Sequence, residues 1–125
     1  MKVLGLVWLG TRTDSFQEMA TFLESTMGLT LAASVDGYRE YKLPNADVVE
    51  LFGPDDAEKR HFTTGPVAGF LVSDIAAARD ELRDAGVEII GELHRSGSYA
   101  WQFFRAPDGN VYELVEDDSK LGAVG

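Results

Sequence analysis

The chain has 125 residues, room for one domain with a sizeable core, and its 45% hydrophobic, 10% aromatic and 26% charged make-up is that of an ordinary globular protein. Eleven Lys and Arg against 21 Asp and Glu give a net charge of −10, a sign that argues against nucleic acid or an anionic membrane surface as a partner. With no cysteine and only His61 and His94, disulfides, thiolate nucleophiles, Cys-ligated zinc, iron–sulfur clusters and three-histidine metal sites within one chain are excluded.

The first ten residues, MKVLGLVWLG, carry one lysine and a short apolar run with no small-residue cleavage site after it. The run falls well short of the roughly 20 apolar residues that cross a bilayer. It reads as a first β-strand, and the protein is expected in the cytoplasm. A helix is predicted to begin near Asp14 and Ser15, where Ser15 and Glu18 have capping-box spacing. Phe16, Met19, Ala20, Leu23 and Met27 then mark one helical face, and Gly28 stands where a C-terminal cap belongs. Strands are expected from Leu29, over Tyr38–Leu43 and over Asp47–Phe52, followed by a polar loop from Gly53 to Pro66.

The same order recurs in the second half. After a strand, Ser73 or Asp74 opens a helix with Ile75, Ala78, Leu82 and Ala85 on one face and Gly86 as its cap. Strands follow from Val87, over Tyr99–Arg105 and over Asn110–Val115, the last preceded by the turn Pro107-Asp108-Gly109-Asn110. Glu116-Asp117-Asp118 and the residues after it read as a fraying terminus. The pattern is βαβββ twice: one α+β domain over 1–125, with module one at about 1–54, a linker at about 55–65, module two at about 66–117 and a tail at 118–125. Pseudo-twofold symmetry between the halves is expected. Each half would form a four-stranded, mostly antiparallel sheet with its helix on one face and the other face lining a cup.

Three stretches carry a family resemblance: F-L-E-S-T-M-G-L from Phe22, G-F-L-V-S-D-I-A-A-A-R-D-E-L-R-D-A-G-V-E-I from Gly69, and A-P-D-G-N-V-Y-E-L-V-E from Ala106. Together they resemble the vicinal oxygen chelate superfamily of glyoxalases, bleomycin-resistance proteins and dioxygenases. The last stretch looks like that family's D-P-D-G-N-x-x-E-L strand, with Ala106 in place of the first Asp. The resemblance implies a cupped glyoxalase/bleomycin-resistance fold. In its enzymes a divalent metal is held by the first and last strands of each module and polarises two neighbouring substrate oxygens. It also implies a homodimer, in whose swapped form Glu50 of one subunit meets Glu113 of the other. A fold with this many chemistries does not assign one by itself.

Set against that pattern, Glu113 and Glu50 fall at the two last-strand ligand positions. The first-strand positions fall on Val7 or Trp8 and on Val67, none of which can coordinate a metal. Iron-dependent ring cleavage, which needs two His and one Glu, is thereby excluded. Two carboxylates would hold Mg²⁺ or Mn²⁺ weakly at best, so no cofactor beyond a weakly held divalent metal is expected. Alternation places Glu113 on one face with Val111 and Val115, and Glu50 with Val48 and Phe52. The competing reading makes Glu50 an exposed edge residue or one half of an ion pair.

His61 reads as a surface residue, whereas His94, just before Ser96-Gly97-Ser98, would line the rim as an acid–base group. Tyr112 and Leu114 take the face opposite Glu113 and so belong to the helix-packed core. Trp101 and Phe103 share a face with Tyr99 and Arg105, and Trp8 either stacks on a planar ligand or fills the space of the missing metal. Two functions follow. One is a metal-free protein that sequesters an aromatic or cationic small molecule through Trp8, Glu50, Phe52, His94, Trp101, Phe103 and Glu113. The other is a diverged glyoxalase-type lyase or isomerase with Glu113 (or Glu50) as general base. The vacant ligand positions favour the first, and the carboxylate pair keeps the second open.

Overall fold

A computed structural model of the chain describes residues 1–63 and 65–124; Thr64 of the linker and Gly125 of the tail lie outside the described residues. The strand β1 (Gly5–Arg12) is followed by α1 (Phe16–Thr21), which runs into a π-helical turn over Phe22–Thr26. Then come β2 (Thr30–Val35), β3 (Tyr38–Lys42) and β4 (Val48–Phe52), and a 3₁₀ turn at Ala57–Lys59. The second half holds β5 (Val67–Leu71), α2 (Ile75–Asp84), β6 (Glu88–Ser96), β7 (Tyr99–Arg105), β8 (Val111–Asp117) and α3 (Asp118–Val124). This is the α+β architecture of two βαβββ repeats. The chain divides into two compact units, Trp8–Val67 and Met1–Val7 together with the chain from Ala68 onward.

In the first unit the strands lie in the order β2-β3-β4-β1, with β1 parallel to β4 and the other pairs antiparallel. Phe16, Ala20 and Leu23 of the helical segment pack on Tyr41 and Leu51, both fully buried. Register then fixes the opposite face: Glu40 and Glu50 are cross-strand partners, as are Tyr38 and Phe52, and Gly10 lies beside Glu50. The second unit repeats the plan as β5-β8-β7-β6. Ile75 and Ala78 of α2 bury against Val72, Ala100, Phe104 and Leu114. Tyr112 joins that layer, its ring stacked near Phe70 at 5.7 Å and near Phe104 at 6.0 Å. It thus sits on the helix-packed side, opposite Glu113.

Three local expectations are corrected. The Ser15–Glu18 capping box does not form: the Ser15 side chain makes no cap hydrogen bond, and its backbone N–H instead donates to Thr13 Oγ1 at 3.1 Å. Met27 leaves the buried stripe because its N–H bonds back to Phe22 O, five residues away, and the wider turn rotates it into solvent. The acidic end is not a frayed tail. Glu116 and Asp117 complete β8 opposite Ala100 and Tyr99, and Asp118 begins α3. Glu116 also accepts the backbone N–H of Ile75 at 2.9 Å, so it helps Asp74 cap α2 across 41 residues of chain. Among the described residues no helix is long and apolar enough to cross a membrane.

Two predictions follow from these contacts. Asp74 accepts the N–H of Ala77 at 3.0 Å, so Asp74→Ala should cost about 0.5–2 kcal/mol in urea unfolding, whereas Ser15→Ala should stay within about 0.5 kcal/mol. The Tyr41 hydroxyl donates to Glu24 at 2.8 Å. Burial first, then that bond and the Glu24 charge, push its pKa from 10.0 up to about 12. The folded value lies above the unfolded one, so the stabilisation is intact below about pH 10 and is lost as pH rises toward 12. Unfolding midpoints should fall over that window, and less steeply in Tyr41→Phe.

Candidate functional site

On the first unit's helix-free face, Trp8 lies flat across Gly10: a Cβ at position 10 would sit 2.1 Å from Trp8 Cη2. The indole thereby reaches Glu50, and its Nε1–H donates to Glu50 Oε1 at 2.7 Å. Of the two first-strand candidates it is therefore Trp8, and not Val7, that shares a face with Glu50. The linker supplies a residue that sequence reasoning missed. Phe62 meets Trp8 edge-on at 6.2 Å and Phe52 edge-on at 5.7 Å, while Lys59 Nζ stands 4.9 Å from the Phe52 ring centre. A single large apolar residue in a polar loop was the only signal for it. Trp8, Phe52 and Phe62 retain 7%, 2% and 3% exposure, so they have little surface to offer a ligand.

Tyr38 borders this cluster, its ring 5.7 Å from Phe52 and its hydroxyl donating to Glu40 Oε1 at 3.3 Å. Burial, then the hydrogen bond and charge of Glu50, then the charge of Glu40, push the phenol far above its ordinary range, and it stays neutral. His61, read from sequence as a surface residue, is half-buried and meets Phe62 edge-on at 4.8 Å.

The second unit's corresponding face is exposed only in part, since Val111, Glu113 and Val115 on it are buried. Cross-strand register places His94 opposite Trp101 and Trp101 opposite Val115, with Ile90, Phe103 and Glu113 in the next row. The His94 ring stacks on Trp101 at 5.1 Å and 19°, and Tyr99 tilts against Trp101 at 5.8 Å. His94 is exposed, and Trp101 and Tyr99 are half-buried. Together they form an aromatic shelf. At its inner end Phe103 is buried, and Glu113 keeps only 3% exposure. Arg105 pairs with Glu88 at 3.5 Å along one margin. Of the candidate residues, His94, Trp101, Phe103 and Glu113 thus share one face of the second unit, and Trp8, Glu50 and Phe52 one face of the first. His94, expected at a rim, lies within β6, which runs on to Ser96.

The profile of the Glyoxalase/Bleomycin resistance protein/Dioxygenase superfamily matches residues 5–114. Among solved structures, methylmalonyl-CoA epimerase from Mycobacterium tuberculosis is 27% identical, with a TM-score of 0.67 over 97% of this chain and 93% of that one. The Mn(II)-bound glyoxalase from Novosphingobium aromaticivorans gives a TM-score of 0.74 at 18% identity, over 93% of this chain and 40% of that one. A superfamily member from Vibrio splendidus 12B01 gives 0.67 at 16% identity, over 91% and 99%. No curated protein matches the sequence.

The metal that the fold implies finds no fitting donor set here. Among the described residues no group of three or more His, Asp or Glu is placed to hold an ion. Trp8 and Val67 offer no coordinating atom, and Glu50 already accepts the indole N–H. Chelator-stripped protein incubated with Mn²⁺, Ni²⁺ or Zn²⁺ and desalted should retain far less than one metal per chain, with Glu113→Gln no different. Gly10→Val should displace the indole and cost about 1–3 kcal/mol, with a red-shifted tryptophan emission to mark the move.

Proposed function

Because the chain belongs to the Glyoxalase/Bleomycin resistance protein/Dioxygenase superfamily, we propose that it is a binding member of that family which works without a resident metal and takes a planar aromatic or cationic small molecule on the Tyr99–Trp101–His94 shelf. The stacked row of rings is the observation that carries this reading. An aromatic plate with a half-exposed tryptophan at its centre gains both area burial and offset stacking from a flat ligand. A cation over Trp101 adds about 0.5–2 kcal/mol, and the net charge of −10 draws cations rather than phosphates toward the protein. Glu113 is the carboxylate at the buried inner end of the same face. Trp8, Glu50 and Phe52 then serve as a packed floor in the first unit, with Phe62 over them. The reading extends to a cytoplasmic homodimer, on the family resemblance.

One observation favours a second reading. The 27% identity with the M. tuberculosis epimerase runs over 97% of the chain, and Glu113 is a buried carboxylate on the helix-free face. In that reading Glu113 is the general base of a diverged lyase or isomerase.

The two separate in one titration. An acridinium dye should quench tryptophan emission of wild-type protein without added metal, and Trp101→Ala should weaken its binding about tenfold or more, roughly 1.4 kcal/mol. Glu113→Gln should weaken the dye more than a neutral naphthalene of similar size. Quenching that requires a divalent metal, or an equal response in Trp101→Ala, would sink the proposal. Size exclusion at micromolar concentration should give a dimer, and a stable monomer would remove that part of it.

A further inference from the structure

The ladder between β6 and β7 has one interruption. Ile90 lies opposite Phe103, but the next registered pair is His94 with Trp101, so β6 advances from 90 to 94 while β7 advances only from 103 to 101. Gly91, Glu92 and Leu93 bulge opposite the single residue Gln102, and Gly91 takes φ +70 to make the turn. An uninterrupted ladder would continue the Ile90–Phe103 register. It would set Glu92 opposite Trp101 and move His94 along to Tyr99. The bulge therefore decides whether a carboxylate or an imidazole stands against the tryptophan.

Gln102 is the residue built into that bulge. It is 1% exposed, and its Nε2 donates to the carbonyls of Ile90 at 2.9 Å, Gly91 at 3.2 Å and Phe103 at 3.2 Å. A bulge takes backbone groups out of the ladder, and the Ile90 and Gly91 carbonyls are left to find another donor. The side-chain amide meets that need from the partner strand. An apolar residue of the same size would leave those carbonyls without this donor, and the continuous register would gain by comparison.

We infer that Gln102 is a positioning residue. By holding the Gly91–Leu93 bulge it places His94 flat on Trp101, and so selects a shelf of stacked rings over one edged by the Glu92 carboxylate. Its effect on ligand choice rests on the binding role proposed for the shelf, whereas its effect on His94 does not.

The test reads the two separately. In the full-length protein the His94 ring protons should resonate upfield of their random-coil position, shifted by the Trp101 ring, and Trp101→Leu should abolish the shift. Gln102→Met should lose the shift while the chain stays folded. Deleting Gly91 and Glu92 restores an even ladder with His94 still opposite Trp101, and Gln102→Met in that background should keep the shift. A folded Gln102→Met that retains the shift overturns the inference. If Gln102→Met alone does not fold, the deletion carrying Gln102→Met decides: a folded chain with the shift supports the role, and an unfolded one overturns it. Acridinium affinity should fall about three- to tenfold with the lost stacking in Gln102→Met. A lost shift with unchanged dye affinity would refute the effect on ligand choice and leave the positioning role standing. Wild-type protein that binds no dye would refute the binding proposal alone.

Discussion

A β-strand can bury only every second side chain against a helix, and this constraint organises both units. In the first, Tyr41 and Leu51 go under the helical segment, so Glu40, Glu50 and Phe52 must face the other way. In the second, Phe104, Tyr112 and Leu114 go under α2, which turns Trp101, Phe103, Glu113 and Val115 to the opposite side. The residues that carry chemistry are thus sorted by the same packing that forms the core. A one-residue slip in any of these ladders would exchange the two sets.

The two faces then diverge through single residues. Gly10 has no Cβ, so the Trp8 indole lies across it and bonds Glu50, and Phe62 covers the pair. A face that would otherwise present a carboxylate is closed by the chain's own rings. On the second face the partly exposed rings belong to β6 and β7. The tryptophan there stays half-buried, with His94 stacked on it and Tyr99 tilted against it. Repeats with the same βαβββ order thus carry different groups on that face: a half-buried Glu50 bonded by an indole in one, and a buried Glu113 near a row of partly exposed rings in the other. That is why a reading based on binding rests on the second.

The contrast also explains how the fold can stand where the described residues bring no three metal donors together. The fold depends on the helix-packed layers, in which neither Glu50 nor Glu113 takes part. Residues on the opposite face are not bound by that packing. Trp8 and Val67 put apolar bulk on that face and still satisfy the strands they belong to, each of them buried.

The sequence by itself determined the repeated βαβββ order, most of each helix's buried stripe and which residues of a strand share a face. These follow from periods of 3.6 and 2, which need only near neighbours in the chain. It also marked Gly28 and Gly86 as caps, and both take positive φ, at +73 and +86. Tertiary structure alone decided what lies against what. Phe62 reached Trp8, Glu116 reached the start of α2 across 41 residues, and Met27 left its stripe through a π-helical turn. Likewise the bulge opposite Gln102 moved His94 onto Trp101, although nothing in E-I-I-G-E-L-H-R-S counts the residues on the facing strand. Local periodicity tells which way a side chain points; only the register between strands and the path of the loops settles which group it meets there.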